Sequence, residues 1–445
     1  IDKKTGKPLK DKNVMNKIIE EVKKRGSDIW LSEDPYKYLG SARDPKDFEV
    51  VRDILDVWFD SGSTHAFVLE HKLSWPADLY LEGTDQHRGF FQSSLLEACG
   101  TRGQAPYKAV ITHGFVLDGN GRKMSKSLGN VVKPEDIIKK SGVDIMRLWV
   151  VTTDYSEDMR ISNEILSNLS DYYRRIRNTF RFILGIIENV NLKEYKNNQT
   201  LFEMDKFILA KIYDLSQLRK VAIKSHVYHN FYKTLFEFCS VDLSAFYFDI
   251  SKDVLYCDSL KSEERKAKVF TLLKVYDILI TWFSPVLCHT MEEAWSIFKT
   301  EDLDSVHLKL SAPIKESWKN KELIKKWENI KKIRRAVNTS IEEARNDKKI
   351  GSSLEAEIVI QVNDDLAKLI EENTMDKICM VANIKLKNMN AMVPPNFITS
   401  LNIESENIKV WVYKTSFKKC LRCWQYKEDI KEEDDLCIRC RNVIN

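Results

Sequence analysis

The sequence predicts a chain of mixed class, α/β plus all-α, that ends in a small α/β unit and a cysteine module. Three observations support this prediction. Short apolar runs broken by Gly, Asp and Pro occupy positions 51–117, helical periodicity covers 161 to about 300, and four cysteines cluster near the C-terminus. With 445 residues, 43% of them hydrophobic, the chain is long enough for roughly three or four domains.

The first part of the chain predicts a helix and then two buried strands. The helix at 14–25 carries an apolar stripe and stops at Gly26; the stripe consists of Val14, Ile18, Ile19 and Val22. DLYLEG at 78–83 and AVITHG at 109–114 predict strands, and FFQSSLLEACG between them predicts a connecting helix. Since ligands bind at the carboxyl ends of strands in open α/β sheets, the polar residues after both strands are candidates for a site.

The second part predicts helices almost throughout. Pro134 and two acidic residues begin one helix, in the order that the helix dipole favours. Apolar stripes at 165–187, 204–222, 228–246 and 264–283 predict a helix bundle. A basic helix that ends at Gly351, an alternating strand at 355–362 and a strand at 409–414 then predict the small α/β unit.

A loop with the sequence GRKMSKSLGN holds Lys123 and Lys126 three residues apart, with two serines between glycines. Ammonium, hydroxyl and backbone N–H donors on such a loop suit a phosphate chain that is bound and then released. A solvated basic turn is the alternative. The chain contains no GxxxxGK[ST], and its GxG at 119–121 lacks a third glycine, so two better-known phosphate motifs are excluded.

The stretch LEGTDQHRGFFQ at 81–92 is a candidate small-molecule site. Gly83 would let a ligand approach the backbone, while Glu82, Asp85, Gln86 and His87 supply donors and acceptors for hydroxyls, an amine or a ribose. A loop whose polar groups satisfy one another is the alternative. Neither a Ser/His/Asp order nor a paired-carboxylate hydrolase pattern stands out.

The cysteine module contains CLRC at 420–423 and CIRC at 437–440, and 13 residues separate the two knuckles. This spacing predicts a structural Zn²⁺ site whose ligands are Cys420, Cys423, Cys437 and Cys440; disulfides or unpaired thiols are the alternative. Arg422 and Arg439 would offset the charge of four thiolates. Trp424 and the nearby basic residues indicate nucleic-acid contact, although surface charge explains the basic residues nearly as well.

The composition predicts a chain in a reducing compartment, the cytoplasm. The net charge is +4, and 70 basic against 66 acidic residues leave room for local basic faces. The other five cysteines are scattered, unlike a disulfide framework. We find neither a signal peptide nor a run of 18 apolar residues, so we expect no membrane partner.

Several stretches together resemble the isoleucyl-tRNA synthetases, a family of class I aminoacyl-tRNA synthetases. These stretches are DVWFDSG (56–62), LEGTDQHRG (81–89), THGFVLDGNGRKMSKSLGN (112–130), SGVDIMRLWV (141–150), FSPVLCHTMEEAW (283–295), the pattern AxxxxIxxxRxxxxIGSSLEA (336–356) and the two cysteine knuckles. The resemblance covers essentially the whole chain. It implies ATP-dependent activation of isoleucine and transfer to isoleucine tRNA, with Mg²⁺ accompanying ATP.

The resemblance also implies the domains. They are a connective segment at 1–50, the second half of a Rossmann-like nucleotide-binding domain at 51–160, a helical-bundle anticodon-binding domain at 161–315, a C-terminal α/β subdomain at 316–415 and a zinc module at 416–445. We expect tRNA contacts from the bundle, the zinc module and four basic residues of the helix before Gly351, namely Lys331, Lys332, Arg334 and Arg335. We also expect a monomer.

Individual roles follow from the same resemblance. Lys123 and Lys126 would be catalytic and hold the ATP phosphates. Further residues would bind the substrates: Glu82 the amino group, Asp85 and Gln86 the ribose, and the backbone near Gly114 and Phe115 the adenine. Gly83 would let the ligand approach the backbone, and Trp58 and Phe90 would form walls of the isoleucine pocket. The family commonly has Trp where this chain has Phe90, so that wall is smaller here.

The HxGH signature of the family is absent from the 445 residues, and so is a domain resembling the one that removes mischarged valine. We therefore expect the chain to be the C-terminal part of a longer enzyme and to be inactive alone. Two alternatives remain. One is a stand-alone tRNA-binding protein that has lost catalysis, and the other is a different class I synthetase, such as the valyl enzyme.

Overall fold

The computed structural model describes residues 1–195, 200–372, 374–389, 391–430 and 435–444. The chain forms two compact units, Ile1–Phe115 and Val116–Asn445. The predicted zinc module includes residues 431–434 and 445, which lie outside the described residues. Among the described helices, none has both the length and the apolar character that a membrane crossing requires. The predicted domain boundaries stay predictions.

The first unit contains short helices and a pair of strands. Its elements are α1 (Lys12–Arg25), α2 (Ile29–Ser32), α3 (Val57–Gly62), α4 (Glu70–Lys72), β1 (Tyr80–Gly83), α5 (Phe90–Arg102) and β2 (Val110–His113). Asp11 caps α1 by accepting the N–H of Asn13 at 2.8 Å. Gly26 ends the helix with a φ of 82°, as predicted.

The apolar stripe of α1 is narrower than the sequence predicts. Val14 is buried against Ile29 and Tyr38, and Ile18 and Val22 pack beside it. The inclusion of Ile19 was wrong, because its side chain is 44% exposed. Few elements cover this short helix, so only a narrow part of its surface is buried.

The predicted strand–helix–strand unit is confirmed. β1 and β2 pair in parallel, with Tyr80 opposite Val110 and Gly83 opposite His113, so both strands end at the same edge. Tyr80 is buried and its hydroxyl lies 3.2 Å from the Ser94 hydroxyl on α5. These contacts hold the connecting helix against the strands and direct the polar residues after each strand to one edge.

The second unit contains the helix bundle, the small α/β sheet and the cysteine module. Its first elements are β3 (Val116–Leu117), α6 (Pro134–Ser141), α7 (Val143–Thr152), β4 (Met159–Arg160), α8 (Asn163–Ile187), α9 (Glu203–Ser225), α10 (His229–Glu237), α11 (Asp249–Cys257), α12 (Glu263–Phe283) and α13 (Cys288–Ile297). A π-helical segment, Phe238–Phe248, joins α10 to α11. The remaining elements are α14 (Lys321–Asn346), β5 (Ala356–Val362), α15 (Asp364–Glu372), α16 (Met375–Cys379), β6 (Asn383–Lys387), β7 (Thr399–Ile403), β8 (Ile408–Lys414), β9 (Lys418–Lys419), β10 (Tyr426–Lys427) and α17 (Ile438–Ile444).

The predicted bundle is confirmed, and large aromatic side chains fill its core. Tyr276, Trp282 and Trp295 are at most 1% exposed. The buried carboxylate of Asp205 on α9 joins two other parts of the bundle. Tyr247 of the π-helical segment donates to it at 2.6 Å, and the ammonium of Lys268 on α12 lies 3.8 Å from the same oxygen. A charged group can be buried at this depth because it is paired and hydrogen-bonded.

The small α/β unit has the strand order β6-β5-β8-β7. β5 runs parallel to β6 and antiparallel to β8, and α14 packs against the sheet. The predicted end of the basic helix at Gly351 was too late, because α14 ends at Asn346. Lys348 adopts a φ of 56°, which turns the chain before Gly351 is reached.

Candidate functional site

In the first unit, the candidate residues after β1 lie close to the end of β2. Gln86 donates to the Asp85 carboxylate at 3.0 Å and accepts the backbone N–H of Phe90 at 3.2 Å. A Cβ on Gly83 would stand 2.5 Å from the Asp85 carboxylate and 3.6 Å from the His113 ring. The strand end therefore combines a bare backbone with an amide, a carboxylate and an imidazole, which together can bind hydroxyls and amines.

The second feature of this edge is an exposed aromatic ring against a glycine. A Cβ on Gly89 would come within 2.9 Å of the Trp58 ring and 2.7 Å of the Gln86 amide oxygen. Trp58 lies on α3, whose start is capped by Asp56, and the indole is 41% exposed. Phe90, the residue after Gly89, stacks on Tyr80 with ring centroids 5.1 Å apart.

The remaining predicted residues of the first unit flank these groups. Glu82 is an exposed residue of β1, opposite Thr112. Gly114 is buried and its carbonyl lies 2.9 Å from Nδ1 of His113, while the Phe115 side chain is 41% exposed. The structure therefore gathers Gly83, Asp85 and Gln86 directly and places Glu82, Gly114 and Phe115 on the same two strand ends.

In the second unit, Asp118 organises the lysine loop. Its carboxylate accepts the backbone N–H groups of Asn120 and Arg122 at 2.9 and 2.8 Å. It also accepts the side chains of Arg122 at 3.2 Å and Asn130 at 2.9 Å. Led by the Asn130 bond, these donors lower the pKa of Asp118 to about 2, so the residue is ionised at neutral pH.

Asn130 holds the next part of the lysine loop through hydrogen bonds to its backbone. Its amide oxygen accepts the N–H of Ser125 at 2.9 Å, and its NH₂ group donates to the Lys123 carbonyl at 3.3 Å as well as to Asp118. Between these points Met124 packs against the bundle core, and both lysine residues are exposed. The loop therefore exposes two lysine side chains on a backbone that Asn130 and Asp118 hold through hydrogen bonds.

Sequence reasoning missed three of these residues. His113 was not assigned, although it directly follows a strand and lies opposite Gly83. Asp118 and Asn130 bracket the lysine loop, and a pattern of Asp-Gly at one end and Gly-Asn at the other was the available signal. Their hydrogen bonds join positions 12 apart, which spacing alone does not specify.

The cysteine module has the donor geometry of a zinc site. All four cysteine sulfurs lie within 4.8 Å of one another, and Cys423 and Cys437 are 3.8 Å apart. Zinc–sulfur bonds of about 2.3 Å in a tetrahedron place sulfurs about 3.8 Å apart, so the four thiolates fit this metal. Four sulfurs close the shell, and a bound zinc would supply structural stabilisation.

The two arginines inside the knuckles attach the module to α11 of the bundle. Arg422 donates to the Cys257 carbonyl at 2.7 Å and lies 3.4 Å from the Cys440 sulfur, as expected for a thiolate partner. Arg439 forms a two-point ion pair with Asp253 and also contacts Asp258 at 3.3 Å. Asp253 raises the pKa of the Arg439 guanidinium. The structure therefore gives Arg439 a docking contact as well as a place beside the metal ligands.

Two of the four basic residues predicted to contact tRNA on α14 are used inside the protein, so that prediction was wrong for them. Lys331 pairs with Asp242, and its ammonium lies 4.9 Å from the centre of the Phe207 ring. Arg334 donates to the Ile378 carbonyl at 2.8 Å and to Asp249 at 3.0 Å. Helical spacing puts these two side chains on the packed face. Lys332 and Arg335 are exposed.

Three family models match successive parts of the chain. Residues 1–162 match the tRNA synthetases class I (I, L, M and V), and residues 205–360 match the anticodon-binding domain of tRNA ligase. Residues 417–443 match the zinc finger found in FPG and IleRS. The chain belongs to the class I tRNA synthetases. The zinc-finger match and the four-sulfur geometry agree, so the predicted structural zinc site of this synthetase is confirmed.

Curated relatives of this class I synthetase are isoleucine--tRNA ligases. The protein from Pelagibacter ubique is 44% identical over 431 residues, which cover 96% of this chain and 46% of that protein. The protein from Zymomonas mobilis subsp. mobilis is 42% identical, over 100% of this chain and 46% of that protein. The synthetase chain thus spans about half the length of the curated relatives it matches.

A solved structure is also similar to the synthetase chain. It is the LeuRS-tRNA-LeuAMS ternary complex of Agrobacterium radiobacter K84, with 16% identity and a TM-score of 0.49 over 64% of this chain and 36% of that chain.

Proposed function

We propose that the protein carrying this chain is an isoleucine--tRNA ligase that activates isoleucine with ATP and Mg²⁺ and transfers it to isoleucine tRNA. The observation that carries the proposal is the 42% to 44% identity with isoleucine--tRNA ligases over nearly the whole chain. A valyl enzyme or a stand-alone tRNA-binding protein is not favoured by these relatives. The amino acid that supports catalysis separates the three functions.

The lysine loop has the chemistry that the first step needs. When the isoleucine carboxylate attacks the α-phosphate of ATP, pyrophosphate leaves and negative charge grows on its oxygens. We assign Lys123 and Lys126 to these oxygens, with Lys126 meeting the charge that develops in the transition state. Support comes from the exposure of both residues on a loop whose base is hydrogen-bonded to Asp118.

The edge of β1 and β2 would bind the adenylate. In this proposal Glu82 holds the amino group, and Asp85 and Gln86 meet the ribose hydroxyls. The hydrogen bond between the Asp85 and Gln86 side chains supports their acting on one group of the ligand.

The backbone near Gly114 and Phe115 would accept the adenine, and Gly83 would let the ligand approach the backbone. Trp58 and Phe90 would form walls of the isoleucine pocket, the former through its exposed indole. Phe90 would be supported in this position by its stacking on Tyr80.

The bundle and the zinc module would bind tRNA. The match of residues 205–360 to the anticodon-binding domain of tRNA ligase supports this role for the bundle. Trp424, which is 63% exposed and has the Lys419 ammonium 5.4 Å from its ring centre, is a suitable stacking surface for an RNA base. We further propose a monomer in the cytoplasm; none of the nine cysteines, all of which lie in the described residues, forms a disulfide, and this suits a reducing compartment.

Isoleucine-dependent exchange between ATP and pyrophosphate tests the proposal, with the protein as its gene encodes it. We expect exchange with isoleucine to exceed exchange with valine or leucine. Lys126→Ala should lower kcat about 10² to 10³-fold with little change in KM for isoleucine, the scale of one lost transition-state partner. Lys133→Ala, an exposed lysine at the start of α6, is the control and should leave kcat unchanged. Exchange that is fastest with another amino acid, or an unchanged kcat in Lys126→Ala, would contradict the proposal.

A further inference from the structure

The lysine loop contains a buried pair that positions its cations. Asp118 is 7% exposed and Asn130 is half-buried, and the two side chains are joined by a 2.9 Å hydrogen bond. A buried carboxylate is costly unless donors surround it, and here two backbone N–H groups, a guanidinium and an amide do so. The pair is thus a fixed point in an otherwise exposed loop.

The Asn130 side chain also contacts the backbone of both neighbours of Met124. It accepts the N–H of Ser125 and donates to the carbonyl of Lys123, so a single side chain fixes two backbone groups of the segment. A backbone bridge between Leu117 and Lys123 ties the same segment to β3. The path of the chain into Lys126 is therefore determined.

The far side of the turn is held less tightly. Ser125 accepts the N–H of Leu128 at 3.3 Å, and Gly129 donates to the Lys126 carbonyl at 3.3 Å. Both bonds are longer than the 2.9 Å bond by which Asn130 holds the N–H of Ser125. Gly129 has a φ of 65°, which favours glycine and lets the chain reverse there. Lys126 thus lies on a short, weakly held turn whose near end is anchored.

We propose that Asp118 and Asn130 are positioning residues that act through Lys126. The pair fixes the near end of the turn, so that the ammonium reaches the phosphates by moving a few residues rather than the whole loop. This inference rests on the proposed function for its kinetic consequence. Its structural basis, the anchored backbone, is independent of that function.

The first test needs no substrate. Limited trypsin digestion of the full-length protein, followed by mass spectrometry, measures the rate of cleavage after Lys123 and Lys126. In Asn130→Ala, which loses three hydrogen bonds, we expect cleavage at least tenfold faster than in the unsubstituted protein. Asn163→Ala, an exposed asparagine at the start of α8, should match the unsubstituted protein. Equal cleavage rates in Asn130→Ala and the unsubstituted protein would overturn the proposal.

The second test separates positioning from general damage. Asn130→Ala should lower kcat for isoleucine-dependent exchange about tenfold or more. The same substitution in a Lys126→Ala background should lower it less than about twofold, because the residue through which the pair acts is already gone. An equal loss in both backgrounds would overturn the proposal, since it would indicate damage that does not pass through Lys126.

The two tests distinguish this inference from the proposed function. Faster cleavage in Asn130→Ala, together with a lack of isoleucine-dependent exchange in the unsubstituted protein, would reject the proposed function and support the anchored loop. Isoleucine-dependent exchange in the unsubstituted protein, together with a cleavage rate in Asn130→Ala equal to that of the unsubstituted protein, would support the proposed function and overturn the inference.

Discussion

Replacing Arg439 by alanine should loosen the zinc module from α11. The guanidinium holds Asp253 through two contacts, one of them 2.7 Å long, and Asp258 through a third at 3.3 Å. Hydrogen bonds to charged groups are worth about 1.5–3 kcal/mol each. The pair is about a third exposed, which screens the charges and reduces the expected net loss to about 1–2 kcal/mol. A loss of about 1.4 kcal/mol raises the undocked population about tenfold.

Zinc release to an excess of a chromogenic chelator measures this effect. If the metal leaves mainly from the undocked module, Arg439→Ala should release zinc about tenfold faster, and the far-UV signal of the bundle should be unchanged. Arg439→Lys should release zinc at a rate between those of the unsubstituted protein and Arg439→Ala, because an ammonium keeps the charge but cannot form the two-point contact. Lys419→Ala is the control, since that ammonium lies over the Trp424 ring inside the module. A release rate for Arg439→Ala within twofold of the unsubstituted protein would refute the docking argument.

Three further predictions follow from the geometry. Cys437→Ser should lower bound zinc from one per chain to near zero by metal analysis, whereas the exposed Cys99→Ser should retain it; retention in both would exclude the four-sulfur site. Tyr247→Phe removes a 2.6 Å donor from buried Asp205 and should lower the free energy of unfolding in urea by about 2 kcal/mol; an unchanged unfolding midpoint would contradict this role. Asp118 has a pKa lowered from 3.8 to about 2, so it stabilises the folded loop above about pH 4, and this contribution is lost as the pH falls through 2; amide hydrogen exchange in the loop, corrected for its intrinsic pH dependence, should rise over that range and not between pH 5 and 7.

Much of the fold was predictable because local patterns carry it. The stripe of α8 and those of the following helices repeat with helical spacing, and the structure buries Ile176, Phe180 and Ile183 as that spacing requires. The strands ending at Gly83 and His113 were also predictable, because short apolar runs before a glycine and polar residues are typical of buried strands. The four cysteine ligands followed from spacing alone, since two CxxC knuckles leave few other arrangements.

The prediction was wrong where the neighbours of a residue, rather than its own type, decide its role. Lys331 and Arg334 are basic residues of the kind that bind phosphates, but in the structure they form ion pairs with Asp242 and Asp249. Ile19 continues an apolar stripe whose other members are packed, but its own side chain is 44% exposed. In each case a residue more than 50 positions away, or none at all, determines the outcome.

The sequence by itself determined the classes of element, the zinc ligands and the two lysines of the loop, because each is encoded by residues close in the chain. Only the tertiary structure decided that Asp118 and Asn130 hold that loop and that Arg439 docks the zinc module on α11. Those contacts join side chains 12 and 186 positions apart. A hydrogen bond or ion pair of this kind depends on angles and distances of a few ångströms, which are set by the packing of whole elements and not by the residues that form the bond.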